Sequence, residues 1–484
     1  MGRQSDQDQK LKQQESLIGW LIQMVLWLMQ TLGKLQEQLR QAQAQQGQSS
    51  ANSSRPPSTN PPGAPARPQR RRSGRKRGGQ PGHPAQQRAL LPPERVTQVV
   101  PLKPTECRRC GGALGGQDAV PVRHQVIELP QVQATAIEYQ LHALLCPRCK
   151  IRTSAQLPPG VPRSGFGPRM QALVGVCSGA YRMSKRTVQQ LLLDLYQVPI
   201  SLGSICKLQR QTSEAVAAPV EQVAQALKQA PCAHADETSW RERGRKVWMW
   251  VVTMPQLAYF AIRRHRNRAV IKDLLGELCK GILTTDRYCV YSYLPLEQRQ
   301  LCWAHLLRDF LGMQLWGEAA KQVGAGLYRQ GKRMFRLWHR VRDGTMSRAE
   351  FAQKLQPVQQ CVHQLLQQGS LLPAKKVART CRQLLKVEPA LWTFVNIEGV
   401  EPTNNEAERT VRPGVLMRKV SLGTQSAAGS RFIERMLTVT QSLRLQGRNV
   451  LQYVTTACQA TLSGTAPPSL LPAASPQPFP ALAA

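Results

Sequence analysis

The sequence predicts a multidomain α/β protein, and three observations carry that expectation. A chain of 484 residues is long enough for about two to four separate cores. Its hydrophobic period switches from helical to strand-like near residue 231 and returns to helical near residue 310. Two CxxC pairs, at 107–110 and 146–149, stand apart from both regions and predict a small metal-stapled β module.

In chain order, residues 1–45 are expected to be an oligomerisation helix. Within "LIGWLIQMVLWLMQTLGKLQEQLR" the residues Ile18, Leu21, Val25, Leu28, Leu32, Leu35 and Leu39 alternate spacings of three and four, the a/d seam of a coiled coil. A membrane helix competes, but Gln23 and Gln30 interrupt an apolar run shorter than the roughly 20 residues needed to span. Trp20, Met24 and Trp27 leave room for a higher oligomer. Residues 46–90 turn to Gln, Ser, Pro, Gly and Arg, which predicts a disordered basic linker. Its cluster of Arg70, Arg71, Arg72, Arg75, Lys76 and Arg77 suits phosphate neutralisation without base reading, or a solvated charge run.

Over 91–160, Cys107, Cys110, Cys146 and Cys149 offer the four thiolates that structural Zn²⁺ prefers. The stretch "HQVIELPQVQATAIEYQLHALL" between them alternates enough to predict a strand pair carrying both knuckles. A redox dithiol would explain one CxxC but explains two badly. Residues 161–230 read as helical, with a break near Gln197 to Pro199 and Ser201 placed to cap a second helix bearing Lys207 and Arg210. That pattern fits a DNA-binding helix-turn-helix and fits a plain packing pair equally well.

From 231 the pattern predicts a short strand ending at Asp236, strands around 246–254 and 257–263, a helix, and a strand ending at Asp286. If the first and fourth strands are neighbours, both carboxylates project at one sheet edge, which suits Mg²⁺. Taken singly, an aspartate after a strand is more commonly a turn or cap residue. Residues 310–395 read as a helical insertion, 431–463 as further helices, and 464–484 as a disordered tail.

Charge narrows the function. Lysine and arginine number 65 against 29 acidic residues, a net charge of +36, which points to a polyanion and foremost to nucleic acid. An anionic membrane surface fits less well, because the basic residues run through the whole chain. Nine of the 13 cysteines are scattered singly, the usage of a reducing cytoplasm rather than a disulfide framework. The start "MGRQSDQDQK" lacks the pattern of a signal peptide.

"HADETSWR", "TTDRY", "LCWAHLLRDF" and "TNNEAERTVRP", in this order, resemble the motifs of the insertion-sequence-66 family of bacterial DDE transposases. The resemblance takes in "RKRGGQPGH" and both CxxC pairs and covers most of residues 75–460. It implies an RNase H-like catalytic domain over 231–430, interrupted by the helical insertion. It also implies Asp236, Asp286 and Glu408 as a carboxylate triad for two Mg²⁺ (or Mn²⁺) ions, with Asp236 shared by both. Water would cut the element end, and the freed 3′-hydroxyl would attack target DNA in line, with no covalent enzyme intermediate.

Residue physics alone leaves the third carboxylate open. Residues two apart on a helix point about 200° apart, so Glu406 and Glu408 cannot both face the aspartates. Asn405 with Glu408 resembles a capping box, and Glu408 with Arg412 is spaced for an ion pair, so Glu408 has structural explanations too. The family motif Asn-Asn-x-Ala-Glu-Arg selects Glu408. The same resemblance sets His305 near the centre as catalytic support, against a satisfied core histidine, and Cys302 reads as a small packed residue. Arg409, Arg412, Arg418 and Lys419 are expected either to grip phosphates or to form a solvated basic face. The implied partners are double-stranded DNA, both element ends and target, a homo-oligomer and small accessory proteins, in the bacterial cytoplasm at the nucleoid. Two rivals are a nuclease of the same fold and a catalytically silent DNA-binding repressor.

Overall fold

The structure, a computed structural model, describes residues 2–53, 60, 88–276 and 281–472. The basic cluster of Arg70, Arg71, Arg72, Arg75, Lys76 and Arg77 lies outside the described residues. Helix α1 (Gly2–Gln46) is continuous over 45 residues. Its apolar residues from Leu17 to Leu39 are exposed, and the segment Ser16–Gln46 is long and apolar enough to cross a bilayer. The chain after α1 is ordered further than the linker expectation allowed: Gln48, Ser49 and Ser50 are buried, and Asn52 donates to the Gly47 carbonyl. Close packing explains it, since Gln48 accepts from Lys376 and the Asn52 carbonyl lies against Gly312.

Strands β1 (Ala143–Leu145) and β2 (Arg152–Ser154) pair antiparallel around the second CxxC. Of the strand pair predicted within 124–145 only its last residues form a strand, β1, whose partner β2 lies beyond the second CxxC; residues 124–142 carry no regular secondary structure and are almost wholly exposed. Their alternating valines and isoleucines meet no second sheet face there, so β propensity has nothing to pack against.

Helices α2 (Pro168–Gly179), α3 (Lys185–Tyr196), α4 (Leu202–Ala215) and α5 (Ala217–Leu227) follow. Ser184 caps α3, and α3 ends at Gln197 in the left-handed conformation. Ser201 caps α4 by accepting from the Ser204 amide. Val174, Val188, Leu192, Ile205 and Leu208 close a small separate core among α2, α3 and α4. Lys207 and Arg210 lie on the exposed side of α4.

The central sheet contains β3 (Cys232–Glu242), β4 (Arg245–Met254), β5 (Leu257–Arg263), β6 (Ile282–Thr285) and β7 (Arg299–Leu301), with α6 (Arg268–Leu275) before β6. The strand order is β5-β4-β3-β6-β7. The first three strands are antiparallel, whereas β6 runs parallel to both β3 and β7. The predicted end of the first strand at Asp236 is therefore too early. Thr238, Ser239 and Arg241 hide the apolar period, yet the segment pairs with β4 as far as Glu242 and buries Trp240.

Helices α7 (Trp303–Met313), α8 (Glu318–Arg342), α9 (Arg348–Ser370), α10 (Lys375–Lys386) and α11 (Thr393–Asn396) form the insertion. It has its own core, in which Trp338, Phe351 and Phe394 pack with centroids 5.2–5.9 Å apart. The chain then returns to the sheet through α12 (Asn405–Ser421), α13 (Ala427–Leu445) and α14 (Val450–Leu462). Helix α13 covers the exposed edge of β5. Ser442, Thr438 and Glu434, four residues apart, accept from the amides of Ala258, Phe260 and Ile262, two residues apart. Four residues of helix and two of strand advance by nearly the same length, about 6 Å, so every outward amide of that edge meets an acceptor.

The tail is ordered as far as residue 472. Leu470 is buried, and the Pro468 and Leu470 carbonyls accept from Tyr453 Oη and Gln446 Nε2. A proline-rich segment lacks periodicity, but its carbonyls still bond to a neighbouring helix, which composition cannot reveal. Residues 473–484 are outside the description.

Candidate active site

The parallel registers bring the candidate residues to one level. Cys232, Ala233 and His234 lie opposite Ile282, Leu283 and Thr284, an offset of 50 that carried two residues further puts Asp236 beside Asp286. Thr285 lies opposite Leu301, so the residue after it, Asp286, is level with Cys302 at the start of α7. Alternation along each strand turns these side chains to the same face, the one covered by α12.

Asn404 joins that sheet edge to α12. It is 1% exposed, its Nδ2 donates to the Ala235 carbonyl at 2.8 Å, and its amide donates to Cys302 Sγ at 3.1 Å. The expected cap at Asn405 is corrected: Asn404 occupies the cap position, and its side chain bonds the sheet instead of the helix amides. Burial explains the choice, because a buried β3 carbonyl needs a donor more than a wetted helix end does. From sequence, Asn404 and Asn405 are expected to shape the helix start or touch DNA; Asn404 does the first, through the sheet. Replacing Asn404 with Ala leaves the Ala235 carbonyl without this donor and frees the start of α12. We expect a loss of about 1–3 kcal/mol in stability by thermal unfolding.

Glu408, in the first turn of α12, has its Oε1 3.5 Å from His305 Nδ1 and 3.5 Å from an Arg308 guanidinium nitrogen. Cys302, His305 and Glu408 bring their donor atoms within 4.8 Å of one another. The expected Glu408–Arg412 pair is replaced by these contacts across to α7, and Arg412 is exposed. Glu406 diverges to a different neighbour, His234, at 3.8 Å.

Electrostatics separate the two glutamates further. Burial, then the charges of Glu237, Asp286 and Glu408, holds the Asp236 carboxyl well above its ordinary value. Burial also raises Asp286, partly offset by the Tyr288 amide and by Arg266 and Arg287. Glu408 is raised by burial and by Asp286 against the pull of Arg308. Glu406 is raised by burial too, but its charged neighbours are Arg409 and Glu401 rather than the aspartates. Burial, with Arg308 and Arg287 adding to it, pushes His305 down to about 3, so a neutral imidazole stands beside Glu408. Burial lifts the Cys302 thiol to about 11, which makes it a packed, amide-bonded sulfur.

A buried network on the opposite face of β3 went unread in the sequence. Glu237 accepts two bonds from Arg266 and one from Tyr291 Oη at 2.7 Å. The Arg266 guanidinium lies 3.7 Å from the Tyr288 ring centroid and 4.7 Å from that of Trp248. Tyr288 in turn donates its amide to Asp286 Oδ1 at 2.9 Å, so the network steadies the loop holding Asp286.

Asp236, Asp286 and Glu408 are half-buried carboxylates raised by burial, oxygen donors of the kind a hard divalent cation takes. Among the described residues their oxygens are not drawn into one donor group, and Glu408 clusters with Cys302 and His305 instead. The pH consequence has a definite sign. Raised Asp236, Asp286 and Glu237 keep protons that the unfolded chain releases, so metal-free stability falls as pH climbs from about 4 through their folded values. A divalent cation held by these carboxylates would compete with those protons. Added Mg²⁺ should therefore raise the melting temperature by an amount that grows as pH climbs through the folded values, as scanning calorimetry with and without Mg²⁺ would read.

The remaining predicted residues are dispersed. Arg409, Arg412 and Lys419 lie exposed along α12. Arg418 turns inward and bonds Thr238 Oγ1 and Ser239, so its guanidinium clamps α12 onto β3 rather than facing solvent. Each CxxC forms a tight knuckle, with the Gly111 amide on the Cys107 carbonyl and the Lys150 amide on the Cys146 carbonyl, both at 2.9 Å. Bonds from following backbone amides lower the Cys107 and Cys146 thiols, as a thiolate ligand requires. The four sulfurs are not gathered into a single cluster among the described residues.

The mixed sheet holds Asp236 within β3 and Asp286 just after β6, with the helical insertion following, and sequence comparison supplies the class of protein. The chain is a member of the IS66 family: the family described as "Transposase IS66 family" matches residues 163–431, more than half of its length. A family of unknown function, DUF6444, matches residues 7–89. An uncharacterized protein, y4qI, of Sinorhizobium fredii (strain NBRC 101917 / NGR234) is 28% identical over 233 residues, which cover 43% of this chain and 42% of that relative. The chain thus spans less than half the length of this curated relative.

Proposed function

We propose that the protein is an RNase H-like DDE transposase that cleaves the ends of an insertion sequence and joins their 3′-hydroxyls to target DNA. One observation carries the reading: the parallel register that levels Asp236 with Asp286, beside a helix whose first turn presents Glu408. The strand order, three antiparallel strands followed by two parallel ones, supports the RNase H-like assignment.

In this reading Asp236, Asp286 and Glu408 hold divalent cations, Mg²⁺ or Mn²⁺. When bound, such ions supply activation of water or a 3′-hydroxyl and stabilise the leaving oxygen of a phosphodiester. The chain's own groups do the rest. Asn404 sets the start of α12, Arg266 and Tyr288 steady Asp286, and Arg308 and neutral His305 orient the Glu408 carboxylate. Arg409, Arg412 and Lys419, exposed on the same helix, supply cationic contacts for phosphates flanking the cut. Lys207 and Arg210 serve a helix-turn-helix on element-end DNA, and the basic linker adds affinity without sequence. The heptad stripe of α1 supports a homo-oligomer in the cytoplasm rather than a membrane anchor, and small accessory proteins complete the assembly.

Cys107, Cys110, Cys146 and Cys149 hold structural Zn²⁺ in this reading, supported by two knuckles whose amides favour thiolate. Metal analysis of pure protein should find one equivalent of zinc per chain, and Cys107→Ser should lose it. Zinc retained in that variant rules the four-thiolate site out.

The deciding experiment is strand transfer with pre-cleaved element ends, a plasmid target and Mg²⁺ at moderate salt. Joined products support a transposase. Cutting without joining favours the nuclease, and end binding without either points to a missing accessory protein or to the repressor.

A further inference from the structure

A cleft of about 320 Å³ opens between α7, α8 and residues 401–405. Its volume is at the small end for ligand pockets and far too narrow for a duplex. One face of α8 supplies Lys332, Phe335, Trp338, His339 and Arg342, spaced so that they share a side of the helix. Lys332 and Arg342 are exposed at the rim and Phe335 is half-buried. Trp338 forms the floor, held by its Nε1 on Glu401 at 3.3 Å. A larger depression of about 500 Å³ beside His363 and Glu388 has no lysine or arginine among its lining residues.

The position of the cleft matters as much as its lining. Ala304 and Leu307 of α7 wall it, while their immediate neighbours His305 and Arg308 face Glu408. Thr403 and Asn405 form the opposite wall and lead directly into α12. The cleft thus shares both of its walls, α7 and the entry to α12, with the surroundings of Glu408.

Aromatic surface for a base, with cations at the rim for a phosphate, is the chemistry that binds single-stranded nucleic acid. We propose that the cleft takes one unpaired nucleotide of the element-end DNA, its base against Phe335 and its phosphate between Lys332 and Arg342. The inference rests on the transposase reading and adds a subsite to it. Paired DNA cannot enter, so binding would extrude that nucleotide from its stack.

The test uses the full chain and end DNA carrying 2-aminopurine at one position at a time across the terminal and flanking nucleotides, without divalent cation. Wild type should change the emission at one position only. Phe335→Ala should bind the end about tenfold more weakly, and an abasic site at that position should remove the difference between variant and wild type. Because Phe335 also touches the insertion core, exposed Lys332 and Arg342 provide the second arm. Lys332→Ala with Arg342→Ala should weaken the intact end severalfold, and weaken an end with a neutral methylphosphonate at that nucleotide hardly at all. No emission change at any position, or equal losses on intact and abasic ends, overturns the proposal. Wild type that joins ends without an emission change sinks the cleft alone. Wild type that changes emission yet never joins in a separate reaction with Mg²⁺ and the accessory proteins supports the cleft and sinks the transposase reading.

Discussion

Asp236→Asn is expected to reduce strand transfer by on the order of 10³-fold or more while leaving end binding within about twofold. A thousandfold loss corresponds to about 4 kcal/mol of transition-state stabilisation, the scale expected when a shared cation ligand loses its charge. The substitution keeps the shape of the side chain, and the Oδ1 contact with the Glu237 amide survives through the amide oxygen. Folding should even gain slightly, because burial and three neighbouring carboxylates disfavour the charge that is removed. A variant that melts at or above the wild-type temperature, binds DNA and fails to join would separate chemistry from stability. Retained joining would remove Asp236 from the reaction.

The second large effect distinguishes two neighbouring glutamates. Glu408→Gln should cost on the order of 10²–10³-fold in joining, whereas Glu406→Gln should stay within a few-fold of wild type. Glu408 faces His305, Arg308 and the field of Asp286, while Glu406 faces His234 and Arg409. The assay is joining of pre-cleaved ends, with both proteins matched for DNA binding at moderate salt, since a chain of net charge +36 binds most DNA at low salt. Loss confined to Glu406→Gln would move the third carboxylate by two residues and leave Glu408 as a structural partner of His305 and Arg308.

Much of the path to these predictions was legible in the residues. The period change at 231, the strand, hairpin, helix and strand sequence, and the position of the aspartate after the short apolar strand "ILTT" were all readable. Alternation and apolar runs are local properties, and local properties survive in one dimension. The third carboxylate was not readable on the same footing. On a helix start, Glu406 and Glu408 have the same composition around them, and only the family motif favoured one. Arg418 looked like another exposed cation at a helix end, but it bonds a strand 180 residues earlier in sequence.

By itself, the sequence determined where the helical and strand-rich regions lie, how strongly the protein is charged, and which residue types were present for metal and phosphate chemistry. The tertiary structure alone decided that β3 and β6 are parallel neighbours, which levels Asp236 with Asp286. It alone decided that Asn404 spends its side chain on the Ala235 carbonyl, and that Glu408 meets α7 rather than its own helix. The physical reason is distance along the chain. Register, burial and the partner of a polar group depend on segments 50 to 180 residues away, and no window of sequence contains both ends of such a contact.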